Sequence, residues 1–292
     1  MSKSRSSVVG VAVTKEKTTN RQIKELQRRT ISALALGTCA LAALFAGPVP
    51  FGFLVLLVAL VMCWEWGHIV RSGGGTDWSF IVHGLTVSAA ILVAMFVSSE
   101  LALMVLVVGG ATLLVINSDD GPGVSVLGAL YVGIPAIALI CLRSSQPYGL
   151  TAVMFIFAVV WAGDIAAFVG GRQIGGVKLY PSISPNKTWA GLVSAVGASI
   201  LVGIVFWSFL ADAPLLYLLA CAVGLGVVAQ LGDLAESALK RLFRVKDSSD
   251  LIPGHGGFMD RLDGIVAAAC VALAVGLMIN SEAPARALLY GS

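Results

Sequence analysis

Apolar residues along most of this chain do not alternate with polar ones; they run on. Nine stretches carry almost no charge: roughly 30–46, 51–70, 80–97, 101–116, 124–142, 149–169, 189–210, 214–231 and 264–280. Runs of this length predict helices that cross a bilayer, where only a helix satisfies its own backbone. Short turns such as Gly47-Pro48-Val49-Pro50 and Asn117-Ser118-Asp119-Asp120-Gly121-Pro122 separate most of them. Two connections are longer and polar, 170–188 and 232–263. The expected fold class is an all-α polytopic integral membrane protein of about nine transmembrane helices, with the two polar loops forming the site. The expected organisation is a basic, disordered tail over 1–29, N-terminal membrane helices over 30–148, and a C-terminal catalytic membrane region over 149–292.

Composition narrows the picture. Of 292 residues, 58% are hydrophobic and 12% charged, against about a quarter charged in a soluble domain. Mean hydropathy is +0.92, which leaves little water-facing surface. Net charge is only +3 and aromatics do not interleave with basic residues, which argues against a nucleic-acid partner. Cys39, Cys63, Cys141, Cys221 and Cys270 are scattered in or beside apolar runs and read as reduced small hydrophobes.

Charge also predicts orientation. With nine alternating spans and a cytosolic N-terminus, 17 of the 19 Lys and Arg fall on the cytosolic side, leaving only Arg143 and Arg286 outside. That matches the positive-inside bias of short loops and places both long polar connections in the cytosol.

The densest polar cluster begins at the end of the eighth run. Asp233, Glu236, Ser237, Lys240 and Arg244 recur at three- and four-residue steps, so a helix would gather them on one face. Carboxylates lie at its membrane end and cations at its far end, an arrangement suited to a metal and a polyphosphate. On an isolated helix this would be read as solvated i,i+4 pairing, as of Glu236 with Lys240. Beside a bilayer, polar residues are expensive and point to function. Downstream, Pro253, Gly254, His255, Gly256 and Gly257 make a tight turn able to offer N–H groups to phosphate, although such turns are often only turns. Asp260 and Asp263 follow one helical turn apart; carboxylate oxygens suit a hard cation such as Mg²⁺, while N-capping of the last helix is the simpler role for one of them. Asp164 sits inside the sixth run, where an ionisable group is a functional candidate. Glu65, His68 and His83 near run ends are adequately explained by snorkelling or interhelical hydrogen bonds.

The series Ser237, Lys240, Arg241, Lys246, Asp247, Ser249, Pro253, His255, Gly256, Gly257, Asp260, Arg261 and Asp263 resembles the signature of phosphatidate cytidylyltransferases. Asp164, Gly171-Arg172 and Ser184-Pro185-Asn186-Lys187-Thr188-Trp189 resemble that family's second block, with Ala190 where many relatives carry Glu. The resemblance spans roughly 160–265 and implies CTP + phosphatidate → CDP-diacylglycerol + pyrophosphate with Mg²⁺. On that reading Asp233 and Asp260 hold the cation, with Asp263 and Glu236 as further ligands and room for a second cation. Lys187, Lys240, Arg241, Lys246 and Arg261 hold phosphates of CTP or lipid. Ser184, Asn186, Ser237, Asp247, His255, Gly256 and Gly257 make lesser substrate contacts, and Asp164 borders a lateral opening for the lipid headgroup. The implied partners are CTP, phosphatidic acid and the bilayer, with a homodimer as a family-level expectation and the plasma (inner) membrane as the location.

Three other readings compete with this one. A CDP-alcohol phosphotransferase needs further aspartates after Asp263-Gly264, and none appears. A CTP-dependent polyprenol or dolichol kinase is closer in chemistry and separable only by substrate. An ion-coupled transporter would place its charges at midplane rather than in loops.

Overall fold

The computed structural model describes residues 32–70, 78–116, 122–249, 251 and 256–292. The tail over 1–29, Arg71 and His255 lie outside the described residues.

Each of the nine apolar runs folds as a helix: α1 Ser32–Ala46, α2 Pro48–Val70, α3 Trp78–Phe96, α4 Ser99–Ile116, α5 Pro122–Ser144, α6 Gly149–Gln173, α7 Trp189–Phe209, α8 Leu215–Leu242 and α9 Met259–Ile279. Seven of them are long and apolar enough to cross a membrane; the first and third runs give shorter apolar helices, Ser32–Ala46 and Phe80–Phe96. The protein is therefore an all-α multi-pass membrane protein. Large apolar side chains on its outside, such as Phe209 and Leu216 at 82% exposure each, are what a lipid-facing surface requires.

The polar connections hold more structure than their composition suggested. α6 continues to Gln173, and the chain then forms an antiparallel hairpin of β1 Lys178–Tyr180 and β2 Ser184–Thr188, with Lys178 opposite Thr188 and Tyr180 opposite Ser184. Thr188 then caps α7, its hydroxyl accepting from Gly191 N–H at 3.1 Å. α8 runs unbroken for 28 residues, about 42 Å, and so outreaches a hydrocarbon core of about 30 Å. Its last turns carry Asp233, Glu236, Ser237 and Lys240. The shared face ends there: Arg244 lies past the helix end, exposed and with φ +58°. α9 starts five residues before the predicted run, so Asp260 and Asp263 both belong to it. A short α10, Pro284–Tyr290, folds back on α9.

α2 to α5 pack together, and α5 also meets α6 and α9, which join α7, α8 and α10 in the second half. Contacts across the chain show which ends share a face. At one end, Arg143 of α5 donates through Nε and Nη2 to the Leu44 carbonyl of α1 (3.1 and 2.9 Å), and Ser145 Oγ accepts from Ala285 N–H at the head of α10. At the other end the late turns of α2, α6 and α8 meet the first turns of α7 and α9 and the hairpin. The polar residues collect there.

Candidate active site

Gly232 explains how the two acidic helices come close. A Cβ there would lie 2.6 Å from Ala267 Cβ and 2.7 Å from the Asp263 carbonyl oxygen, so only glycine allows α8 and α9 this approach. Asp233 follows directly on α8, and Asp263 feels the like charges of Asp233, Glu236 and Asp164. Asp263 Oδ1 accepts from its own helix's Gly264 N–H at 2.7 Å.

Two lysines divide the cluster. Lys187, from β2, places Nζ 2.8 Å from Asp233 Oδ2 and 3.2 Å from the Gln230 carbonyl. Gln230 in turn donates through Nε2 to Asp164 Oδ1 at 2.9 Å, so residues 164, 187, 230 and 233 form one connected row across α6, β2 and α8. Lys240 is buried at 8% exposure; its Nζ lies 2.9 Å from Glu236 Oε2 and is also paired with Asp260 Oδ1. Among the described residues Asp233, Glu236 and Asp260 pair directly with these two lysines, and Asp164 and Asp263 stand close enough to add their charge to the cluster. Glu236 Oε1 is buried with no hydrogen-bond partner among the described residues.

Asp260 occupies a different position from its acidic neighbours. Its Oδ2 accepts from Ser248 N–H (3.0 Å), Ser248 Oγ (2.8 Å) and Gly257 N–H (2.8 Å), while Oδ1 takes Lys240. Both oxygens are therefore engaged in tying the connection between α8 and α9 to α8 itself. The connection from Ser248 to Gly257 reads in sequence as a glycine turn offering N–H groups to phosphate; its fixed points are serine and backbone donors on carboxylates.

Glu65 was not among the sequence-derived candidates. It comes from α2, in the half of the chain that offered no motif, and is 0% exposed. It accepts from Ser249 Oγ (2.6 Å), Phe258 N–H (2.8 Å) and Met259 N–H (2.7 Å). Gly257 is wedged between Glu65 and Ser248, with no room for a side chain. The available signal was a carboxylate inside the apolar run Met62-Cys63-Trp64-Glu65-Trp66; of the two roles expected for it, the structure shows interhelical hydrogen bonding and not snorkelling. Gln230 and Ser248 were likewise legible only as polar residues beside stronger motifs, and Ser249 only as a member of the signature series with no assigned role.

The other expected residues form a rim. Asn186, Arg241, Lys246, Asp247 and Arg261 are exposed, and Ser184 is half-buried in the hairpin. Arg241 donates to the Val245 carbonyl at 3.3 Å. Ser237 Oγ reaches Asp233 Oδ1 at 3.4 Å, a long bond. Gly256 has φ +80° beside Asp260.

Comparison with known proteins gives the family. Residues 27–279 match the model of the cytidylyltransferase family. The phosphatidate cytidylyltransferase of Brucella suis biovar 1 (strain 1330) is 39% identical over 273 residues, covering 92% of this chain and 99% of that protein. The protein of the same description from Haemophilus influenzae is 31% identical over 280 residues, covering 83% of this chain and 96% of that one. That from Bacillus subtilis (strain 168) is 40% identical over 149 residues, about half of each chain (50% and 55%). The fold is a multi-pass helical membrane protein with an ionic site at one end, and the chain belongs to the cytidylyltransferase family.

Proposed function

We infer that the protein is a phosphatidate cytidylyltransferase, joining CTP and phosphatidate into CDP-diacylglycerol with release of pyrophosphate. The observation that carries this is near full-length identity to proteins of that description. The site supports it: basic rim, acidic interior and membrane edge meet in one place, as a reaction between a water-soluble triphosphate and a lipid phosphate needs.

The phosphatidate phosphate is already an anionic nucleophile at neutral pH. Its oxygen attacks the α-phosphorus of CTP, the bond to the β-phosphate breaks, and pyrophosphate leaves. No strong base is required; in-line placement and charge neutralisation are. Arg241, Lys246 and Arg261 on the exposed rim attract the triphosphate. Lys187, held between Asp233 and the Gln230 carbonyl, is oriented to take a phosphate oxygen at the inner edge. Asn186 and Ser184 lie beside it on β2. Asp164 lies open to the protein's surface on α6, where a lipid headgroup enters sideways from the bilayer.

The donors also fit Mg²⁺. Among the described residues no three His, Cys, Asp or Glu side chains already form a cage, but this ion takes one or two protein carboxylates and completes its shell with water and substrate phosphate. Asp233 and Asp263, on facing helices, are the proposed ligands, and the unpartnered Glu236 Oε1 supplies a further oxygen. Asp260, whose two oxygens take four donors against one cation and one long hydroxyl contact at Asp233, is assigned first to loop organisation. When bound, the ion would neutralise charge on the triphosphate and the departing pyrophosphate.

Charge and topology support one orientation. The site lies where even-numbered helices end and odd-numbered ones begin, the end that carries 17 of the 19 Lys and Arg under the alternating arrangement. We place that end in the cytosol, at the plasma membrane, where CTP is available. Incubation with Mg²⁺, CTP and phosphatidate tests the proposal by pyrophosphate release; dolichol or another polyprenol in place of phosphatidate should yield neither CDP nor a polyprenyl phosphate.

A further inference from the structure

We infer that Glu65, on a helix that carries none of the proposed ligand or phosphate groups, is a positioning residue for the transfer reaction. It fixes the start of α9, and through it the facing of Asp260 and Asp263 toward α8. The inference rests on the cytidylyltransferase reading above.

A carboxylate inside a membrane helix is disfavoured unless donors surround it. Glu65 has three, and they come from the middle and the close of the α8–α9 connection: Ser249 midway, Phe258 and Met259 where α9 begins. Phe258 is the N-cap of α9 and Met259 its first residue. Their N–H groups have no partner within the helix, and a negative charge is favoured at that terminus. One side chain of α2 thus pins a connection to which α2 is not joined in sequence.

The next residue is Asp260, which binds Lys240, Ser248 and Gly257. Asp263 follows within one turn, about 6 Å along the axis from Met259. Holding Phe258 and Met259 therefore fixes the rotation of α9 about its axis, and with it the direction of Asp263. Gly257 adds a steric constraint, since its α-carbon is clamped between Glu65 and Ser248. Both Glu65 oxygens accept hydrogen bonds: Oε1 from Ser249 and Phe258, Oε2 from Met259. A glutamine would turn an NH₂ group toward one of these sets of donors, so the amide is not a substitute. An aspartate keeps both acceptors with a shorter reach.

The test compares wild type with Glu65→Gln, Glu65→Asp and Ser249→Ala, each purified at full length in detergent, with phosphatidate in mixed micelles. Glu65→Gln should raise KM for CTP about tenfold and leave KM for phosphatidate within about twofold. Glu65→Asp should recover part of the loss, and Ser249→Ala should shift the same parameter by less. A purely structural role lowers the active fraction, hence the apparent kcat, and moves neither KM. Unchanged KM for CTP in Ser249→Ala and in whichever Glu65 variant folds overturns the inference. Wild-type protein that releases no pyrophosphate from CTP and phosphatidate would instead overturn the functional reading on which it rests.

Discussion

Lys187 and Asp233 are 46 positions apart and form an ion pair of 2.8 Å. One lies on a two-stranded hairpin and the other on the late turns of α8. The pair closes the site between two polar segments that α7 and most of α8 separate in sequence. Asp233 cannot be replaced by a neutral isostere on this account. Asp233→Asn should lower kcat on the order of a hundredfold or more, with elution and thermal melting near wild type. An active, folded Asp233→Asn enzyme would remove this residue from the metal and phosphate assignment.

Lys240 answers a different question, namely what holds two buried carboxylates together. Lys240→Met leaves Glu236 and Asp260 without their common cation, and breaking such a pair costs about 3–5 kcal/mol. Thermal melting in detergent should fall clearly. Adding Glu236→Gln to that variant should recover part of the loss, because one of the two stranded charges is gone. If Lys240→Met melts like wild type, the buried pairing contributes little.

Gly232 sets the distance between α8 and α9. Gly232→Leu puts a side chain where Ala267 and the Asp263 carbonyl already stand, so the helices must part and carry Asp233 away from Asp263. Activity should fall on the order of tenfold or more. Gly224→Ala on the same helix meets nothing within 4 Å and should be neutral or slightly stabilising through helix propensity. Equal effects at both positions would show that helix propensity, not spacing, governs.

The rim cations should act on binding alone. The double substitution Arg241→Ala, Lys246→Ala removes exposed charges, so melting should not change while KM for the anionic substrates rises several-fold. The difference from wild type should shrink in high salt, because exposed charges are screened over about 10 Å at 0.1 M. A salt-independent loss would point to a buried, specific contact instead.

Chelation tests the ion. EDTA should abolish activity and Mg²⁺ should restore it. Glu236→Gln should raise the Mg²⁺ concentration needed for half-activity, since the unpartnered oxygen at this position is a proposed ligand. A Glu236→Gln enzyme with unaltered Mg²⁺ dependence would leave that oxygen without a metal role.

The helices were legible because an apolar run of about twenty residues has one stable outcome in lipid. The segment from Asp233 to Asp263 was legible because polar residues at helical spacing beside a membrane have few other uses. The continuation of α8 to Leu242 was legible as periodicity, but its end was not. Arg244 sits at the correct spacing for the face, yet the helix has already ended at Leu242 and Arg244 itself takes a positive φ. Asp260 and Asp263 looked alike as two acids one turn apart; what distinguishes them is the donors that meet Asp260 from Lys240, Ser248 and Gly257, which no local pattern encodes. Glu65 was the hardest to read. Its partners lie 184 to 194 positions away, and a single glutamate in an apolar run gives no indication of which helix start it caps.

The most direct test of the central claim follows the fate of label from CTP. Purified protein, Mg²⁺, phosphatidate and CTP labelled in the cytidine should yield label in the organic phase as CDP-diacylglycerol, with one pyrophosphate released per labelled lipid. No lipid-soluble label from active-site-intact, folded protein, or label transfer that does not depend on phosphatidate, would contradict it.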